Sequence, residues 1–354
     1  ADTYLDSTNV SIAGAQGGLS QTNLGTAVRI DFGDRTFLRA SRDVRFIAEN
    51  LSQKFTDGDV LNFNANGIGA LSVGVGTSEH YLNQTTSTRI GDFSDLFISG
   101  DGGQGISRLA PVQISAYAKS TMKDQSKVST GGLVAAPVSI SDQTATSHSV
   151  VRIGAYTNIE TWDRDLLVFS KTEESIRSQA LTDVYGLVSG GASARALAQQ
   201  TSSDAIVFGR NSNMRVWGNI DVIAGGSSIQ FSEQGAHDIL SSAIIFNATP
   251  LPISSGKRSN ANLIYSSNII LEKGSGISDT ADLTGAMLFA QGDINLQARK
   301  GNDSIVSVGE NNFFVVGVPV QETYGEKSSS KSAGILNDGL VETGYGKDAW
   351  LYLN

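Results

Sequence analysis

The segment GLVSGGASAR (186–195) could form a phosphate-binding loop, the start of a helix or a buried strand. It aligns without gaps on GLVAAPVSIS (132–141), and the glycine positions differ between the two copies. A phosphate-binding loop needs glycines at fixed spacing before a helix, and proline disfavours a helix interior. The alignment therefore favours a strand, with a short helix over SARALAQQ (193–200) as the alternative. Looser copies are ALSVGVG (70–76) and FVVGVPV (314–320), in which Pro319 matches Pro137.

Two further segments recur along the chain. The first is clearest in VRIGAYTNIETW (151–162) and IVFGRNSNMRVW (206–217), with weaker copies at 28–39 and 88–99. Its anchors are Ile30, Ile90, Ile153 and Phe208, at intervals of 60, 63 and 55 residues. We expect these anchors to occupy one position in successive turns of a repeat architecture.

The second recurring segment alternates apolar residues and ends on alanine or serine. Its copies are VRFIA (44–48), VQISA (112–116), LLVFS (166–170), IDVIA (220–224) and INLQA (294–298). Such alternation, rich in Val and Ile, predicts a strand. A small final residue suits a point where the coil narrows.

The spacing of the strand patterns predicts a solenoid. Ile153 to Ser170 is 17 residues, Ser170 to Leu187 is 17, and Leu187 to Val207 is 20. A β-sandwich, the rival fold, would show antiparallel alternation at a spacing of roughly 8–12 residues. Stacked coils of about 18–20 residues would give about 15 coils and a rod of about 70 Å.

The intervals between second segments are uneven, which predicts inserted loops at 99–110 and 252–285. The polar stretch 321–334 is expected to be a loop, before a final strand at 349–354. The domain prediction is therefore a single β-solenoid over 1–320, with long repeats of about 55–63 residues. Residues 321–354 are expected to form a cap or a junction.

The composition excludes several functional classes. The net charge of −9 and the absence of basic runs argue against nucleic-acid partners and anionic lipid. No stretch of 18 apolar residues exists, so no membrane-spanning helix is expected. The first residues, ADTYLDSTNV, lack the basic end and apolar run of a signal peptide. With no cysteine in 354 residues, disulfides, thiolate metal sites and cysteine nucleophiles are excluded, and the chain is compatible with export.

The cadence VxIGxxxxIxxxxxxxVxVxA, followed by GGLVxGxxAxA, resembles giant Gram-negative surface proteins, the filamentous-haemagglutinin-like and leukotoxin-type filamentous adhesins. The resemblance covers residues 28–225 well and the remainder loosely. It implies an all-β fold, a right-handed parallel β-helix with inserted loops, secretion to the bacterial cell surface, and a role in adhesion or in building a filament or layer.

Residues that could carry chemistry are few. The three histidines are His80, His148 and His237. His80 and His148 lie in polar stretches and are expected to be solvated loop residues, and neither a serine triad nor a histidine metal site is predicted. The acidic pairs Asp57–Asp59, Asp92–Asp95 and Asp163–Asp165 are candidates for a glycosidase or lyase site, but aspartates more often close turns.

No cofactor is expected. GNDSI (301–305) faintly resembles calcium-binding nonapeptide repeats, so a structural calcium stays open.

Trp162 and Trp217 are the candidate glycan-contact residues, because they occupy aligned positions and aromatic faces stack on sugar rings. The alternative is that both pack against the interior or beneath a loop.

Two functions follow from these observations. The first is an extracellular structural or adhesive β-solenoid that is not an enzyme, that self-associates end to end or side by side, and that contacts cell-surface glycans. The second is a carbohydrate-active β-helix enzyme, a polysaccharide lyase or hydrolase of the tailspike kind. It would require three or more acidic side chains converging in one groove.

Overall fold

The computed structural model describes residues 5–41, 43–54, 63–99, 111–230, 234–250, 256–274, 285–315 and 318–353. Within these ranges the chain is all-β, and almost every strand pairing is parallel. Among the same residues, no helix has the length and apolar character needed to cross a membrane.

The first strands are β1 (Leu5–Val10), β2 (Ala13–Phe32), β3 (Phe37–Ala40), β4 (Arg45–Lys54), β5 (Phe63–Ile90), β6 (Asp95–Ile98) and β7 (Val112–Ile153). They are followed by β8 (Asn158–Thr161), β9 (Leu166–Ser189), β10 (Ser193–Phe208), β11 (Asn213–Val216), β12 (Ile220–Ala224), β13 (Ala236–Ala248) and β14 (Gly256–Leu271). The last are β15 (Met287–Ala290), β16 (Ile294–Ala298), β17 (Asn302–Val315), β18 (Val318–Thr323), β19 (Glu326–Asn337), β20 (Leu340–Thr343) and β21 (Ala349–Leu353).

Three stacks of strands run through the molecule. Face A contains β2, residues 71–90 of β5, residues 134–153 of β7, β10, β14 and β19. Face B contains β1 with residues 63–69 of β5, β4, residues 112–132 of β7, β9, β12 with β13, β16 with β17, and β21. The short sheet contains β3, β6, β8, β11, β15 and β20, which join the two faces at one end.

One turn of the chain is a whole long repeat. Ala116 pairs with Ser170 and Ser170 with Ala224, so neighbouring strands are 54 residues apart. The expected coil of 18–20 residues was wrong, because three successive strand patterns build the three sides of one turn. Six repeats stack to about 24 Å at about 4.8 Å per strand, while the 20 residues of β2 extend about 65 Å along face A. The molecule is thus a wide slab rather than a rod of 15 coils, and the parallel pairing excludes the β-sandwich.

The opening segment begins at a corner between faces B and A. Gly186 pairs with Gly132, and Gly132 with Gly69. A Cβ atom on Gly132 would lie 1.6 Å from the carbonyl oxygen of Gly69, and the φ of Gly132 is +151°. Glycine is therefore required at this corner, because the backbone of the neighbouring turn approaches too closely for any side chain.

Residues 193–208, which include the helix-prone SARALAQQ, form β10 and pair on both sides with strands of face A. The prediction of a strand is therefore confirmed. The gapless alignment holds for Val188 with Val134, but Ser193 pairs with Val138, one residue before the Ser139 that the alignment gives. FVVGVPV does not continue face A, because β17 and β18 form an antiparallel hairpin in which Phe314 pairs with Pro319.

The anchor prediction was wrong at one residue. Ile90, Ile153 and Phe208 pair in a single ladder and are fully buried. Ile30 pairs instead with Thr88, and Phe32 occupies the position beside Ile90. The second segments follow the prediction: their final residues, Ala48, Ala116, Ser170, Ala224 and Ala298, form one buried ladder.

The inserted loops and the tail differ from expectation. Residues 256–271 are strand β14, so the extra length of the second insertion falls within 272–286. Most of the first insertion, 100–110, lies outside the described residues. Residues 326–334, expected to be part of a loop, lie in β19, which pairs with β14. With β20 and β21, β19 builds the sixth repeat. The final strand at 349–353 is confirmed.

The interior has two parts. The end core lies beside the short sheet and is a continuous aliphatic cluster that includes Leu96, Ile114, Ile159 and Val222. The flat middle lies between faces A and B and holds smaller apolar clusters separated by buried polar residues. The two parts share the same strands and differ only in the side chains that point inward.

Candidate functional site

The structure brings the two candidate tryptophans together. Each follows a strand of the short sheet, β8 or β11, whose residues pair in register. The Trp162 N–H donates to the carbonyl of Ile98 at 2.9 Å, and the Trp217 N–H donates to that of Thr161 at 3.0 Å. Their rings stack with centroids 4.0 Å apart and planes 13° from parallel.

The tryptophan stack uses one face of each ring for the contact between them. Trp162 remains 40% exposed, and its indole N–H donates to Glu160 at 2.9 Å. The pair therefore lies outside the core as one aromatic surface rather than two separate platforms. The position one turn before Trp162 is Ser99, a small residue.

An open groove runs across the outer surface of the short sheet next to Glu160. The outward side chains that line it are Phe37, Asp95, Phe97, Asn158, Glu160, Asn213 and Arg215. Asn158 donates to Asp95 at 2.7 Å, and the Arg39 guanidinium lies 5.6 Å from the centroid of the Phe97 ring. Amide, carboxylate and guanidinium groups beside aromatic rings can bind sugar hydroxyls and sugar faces.

A second aromatic stack, which sequence reasoning missed, lies at the turns before the short sheet. Phe93 and Tyr156 stack with centroids 4.8 Å apart and planes 2° from parallel. Arg35 and Arg210 lie near the outer faces of this stack, each 5.9 Å from a ring centroid. The equivalent turns GDFS (91–94) and GAYT (154–157) could have revealed it, since both place the aromatic residue third.

The histidines are not solvated loop residues. His80 and His237 are 1% exposed and lie within β5 and β13. His148 lies in β7, where its Nδ1 is 2.7 Å from the Ser203 hydroxyl. The expectation was wrong for His80, because the interior of the flat middle is polar, while His148 lies at an outward, partly exposed position of its strand.

His80 belongs to a buried group of serine, histidine and aspartate side chains. Its Nε2 lies 2.9 Å from both Ser78 Oγ and Asp124 Oδ1, and Ser78 donates to the same aspartate oxygen at 2.7 Å. A catalytic triad places the serine and the acid on opposite ring nitrogens, whereas both contacts here fall on one. The three side chains are also at most 3% exposed, so this geometry stabilises the interior rather than a nucleophile.

A second buried polar group lies two turns further along, around Glu174 and Asp204. Asp204 accepts hydrogen bonds from the Tyr265 hydroxyl at 2.5 Å and from the Thr172 N–H and hydroxyl, both at 3.2 Å. Glu174 lies 4.0 Å from His237 Nδ1. Neither oxygen of Glu174 makes a hydrogen bond of normal geometry, although the Ser147 and Ser202 hydroxyls lie close enough to favour its charged form.

Burial controls the protonation of this group. It raises the pKa of Glu174 to about 8 and that of Asp204 to about 6. Repulsion from the Asp204 carboxylate contributes to the raised pKa of Glu174. Burial also lowers the pKa of His237 to about 4, in agreement with its Nδ1 accepting a hydrogen bond from Gln200 at 2.7 Å. At neutral pH the group therefore holds a protonated Glu174 and a neutral His237.

The predicted acidic pairs act at turns. Asp92 accepts the Ala155 N–H at 3.0 Å, Asp165 accepts the Asn219 N–H at 2.7 Å, and Asp163 has a φ of +58°. Asp57 and Asp59 lie outside the described residues. In GNDSI, Asp303 binds Lys331 Nζ at 2.7 Å. Within the described ranges, no three His, Asp or Glu side chains are grouped so as to hold a metal ion.

No family model matches the chain, and neither a curated protein nor a solved structure matches it.

Proposed function

We propose that the protein is an extracellular structural and adhesive β-solenoid, a right-handed parallel β-helix that builds or decorates a bacterial surface filament, sheath or layer. The observation that carries the proposal is the pairing of each long repeat with the next through both faces and the short sheet. Because every turn presents the same strand edges as the one before it, such a stack extends by adding further turns.

The terminal strands support this proposal. Within the described chain, β2, β3 and β4 of the first turn pair on one side only, and so do β19, β20 and β21 of the last turn. β18 covers the outer edge of β17, so the last turn is open along face A and the short sheet. Unpaired parallel edges are templates for further strands.

The inward side chains at the two ends also match. One ladder runs from Leu38 through Leu96, Ile159, Met214 and Leu288 to Val341. Both end members are partly buried and pack against the end core. Placing Val341 of one copy on Leu38 of the next would continue this apolar ladder without an interruption.

The location at the cell surface rests on composition and resemblance. The chain has no cysteine and a net charge of −9, which suit export and solubility. The recurring segments over residues 28–225 resemble those of filamentous bacterial adhesins.

Imaging of the native assembly tests this function. We expect negative-stain electron microscopy and light scattering to show rods longer than one stack. Fibre diffraction should show a spacing of about 4.8 Å along the rod. Val341→Lys at the last turn should shorten the rods, while Glu342→Lys, which points outward on the same strand, should not. Monodisperse single stacks at all concentrations would contradict the structural function.

We further propose that the groove and the tryptophan stack contact cell-surface glycans. Binding to a glycan array should fall at least tenfold in Trp162→Ala and be retained in Phe93→Ala, which removes an exposed ring from the other stack. Equal binding by both variants would contradict the glycan contact. The groove also holds Asp95 and Glu160, so the same glycans should be assayed for cleavage. Turnover that is lost in Glu160→Gln would instead establish the carbohydrate-active enzyme.

A further inference from the structure

An uncharged apolar patch covers the outer surface of face A next to the glycine corner. We define this outer apolar patch as the outward positions of residues 12–19, 70–75, 133–140 and 187–188, which lie side by side in four consecutive turns. Its members are alanine, valine, leucine, isoleucine and one glycine. The most exposed are Ile12, Leu19, Leu71, Leu133 and Leu187, between 48% and 86%.

The patch has a sharp border along the strands. Beyond Leu19 and Ile140 the next outward positions include Glu79 and Asp142, and Arg195 binds Asp142 at 3.0 Å. Further along β5 the outward positions are mostly polar or charged, as at Asn83 and Arg89. Burial of the face inside the single chain cannot explain the pattern, because these side chains are exposed.

The size of the patch fits a protein interface. An outward position occupies about 33 Å², from about 6.8 Å along the strand and about 4.8 Å between strands. About 16 such positions give about 500 Å² on one copy, or about 1,000 Å² in total when two equal patches meet, which is near the lower limit of specific interfaces. Isolated monomers rarely leave larger apolar patches exposed.

We propose that the outer apolar patch binds the same patch of a second copy of this chain, in a face-to-face and twofold-symmetric pair. A second copy presents ridges of short aliphatic side chains at the same strand spacing, so the two surfaces are complementary by construction. A lipid surface fits less well, because Glu79 and Asp142 border the patch and the chain has a net charge of −9. The pairing is lateral. It rests on the proposed solenoid function and identifies a second copy as the partner in side-by-side association.

The test uses a charge pair that leaves the single chain balanced. Val75 pairs with Val138 on adjacent strands, so Val75→Glu with Val138→Lys creates a neutral cross-strand pair within the patch. The matched control is Ser87→Glu with Val150→Lys, which lies 12 residues further along the same two strands and outside the patch. Circular dichroism melts verify that both variants fold.

Sedimentation velocity and electron microscopy then measure association. We expect wild type and control to form laterally paired stacks, and the patch variant to lose the pairing by at least a hundredfold in dissociation constant. Rods of single width in the patch variant would show that end-to-end stacking is separate from lateral pairing. Lateral pairs without rods would contradict the filament function and leave this inference standing. Equal lateral association of all three proteins would overturn the inference, as would flotation of wild type, but not of the patch variant, with neutral phosphatidylcholine vesicles.

Discussion

The end core and the flat middle are built on the same strands, yet they stabilise the stack by different interactions. In the end core, ladders such as Leu96, Ile159, Met214 and Leu288 bury aliphatic side chains against one another. In the flat middle, two facing ladders are mostly serine. We name them the serine seam: on face A, Ser78, Ser141, Ala196 and Ser259, and on face B, Asp124, Ser178, Ser241 and Ser307.

Hydrogen bonds join the two faces across the serine seam. Ser178 donates to the carbonyl of Ser141 at 2.7 Å, and Ser241 donates to that of Ala196 at 2.9 Å. Such bonds require small side chains and a close approach of the two faces. The comparison shows that apolar volume determines the register at one end, while hydroxyl groups connect the sheets in the middle.

Shortening a side chain in the end core should have the largest effect. Ile159→Ala removes a fully buried side chain from the aliphatic cluster and should lower the free energy of unfolding by about 3 kcal/mol. Chemical denaturation measures the change, with Leu167→Ala on the outer surface of β9 as the control. A loss below about 1 kcal/mol would mean that the end core does not dominate stability.

The next effect is a pH dependence that originates in the flat middle. The pKa of Glu174 is raised from 4.5 to about 8, so the folded chain binds one more proton than the unfolded chain between these values. Stability should therefore fall as the pH rises from about 5 to 8, by on the order of 3 kcal/mol, and stay level above that. Asp204 contributes in the same direction up to about pH 6, and His237 opposes it between about pH 4 and 6.5.

Unfolding free energies of Glu174→Gln between pH 6.5 and 8 measure the contribution of Glu174. The variant should lose the slope in this range. Glu173→Gln changes the outward neighbour, whose pKa is lowered by its hydrogen bonds to Lys171 and Tyr117 despite partial burial. The stabilisation by this group is lost only as the pH falls below about 4.5, so the variant should keep the wild-type slope between pH 6.5 and 8. If Glu174→Gln keeps the wild-type slope, the buried carboxyl group is not the source.

The two regions also differ in how far sequence predicts them. In the end core, the ladder of Ala48, Ala116 and Ser170 follows from alternating Val and Ile, because the inward positions there are apolar or small in every turn. In the flat middle, serine and threonine occupy inward and outward positions alike, so His80 and Glu174 cannot be distinguished from surface residues by pattern. The coil length was missed for a related reason: each strand pattern was interpreted as one turn, while the corners of face B carry no apolar anchor.

Among the site residues, the tryptophan pair was predictable from aligned positions, because residues that align between repeats lie side by side on neighbouring strands of the sheet. The groove was not, because it depends on Asp95, Asn158 and Asn213 meeting from three different turns. Nor was the outer apolar patch, which requires knowing that Val73 and Val75 point outward.

The smallest effect should come from the serine seam. Ser178→Ala removes the hydroxyl group that donates to the Ser141 carbonyl and lies 2.8 Å from the Ser141 hydroxyl, at a site with no solvent exposure. Because Ser141 also donates to Asp124, part of the network survives, and the loss should be about 1 kcal/mol. Ser87→Ala, an outward change on β5, should be neutral in the same urea titration. If Ser178→Ala is neutral as well, hydroxyl groups do not connect the two faces, and the flat middle would have to be stabilised by its small apolar clusters alone.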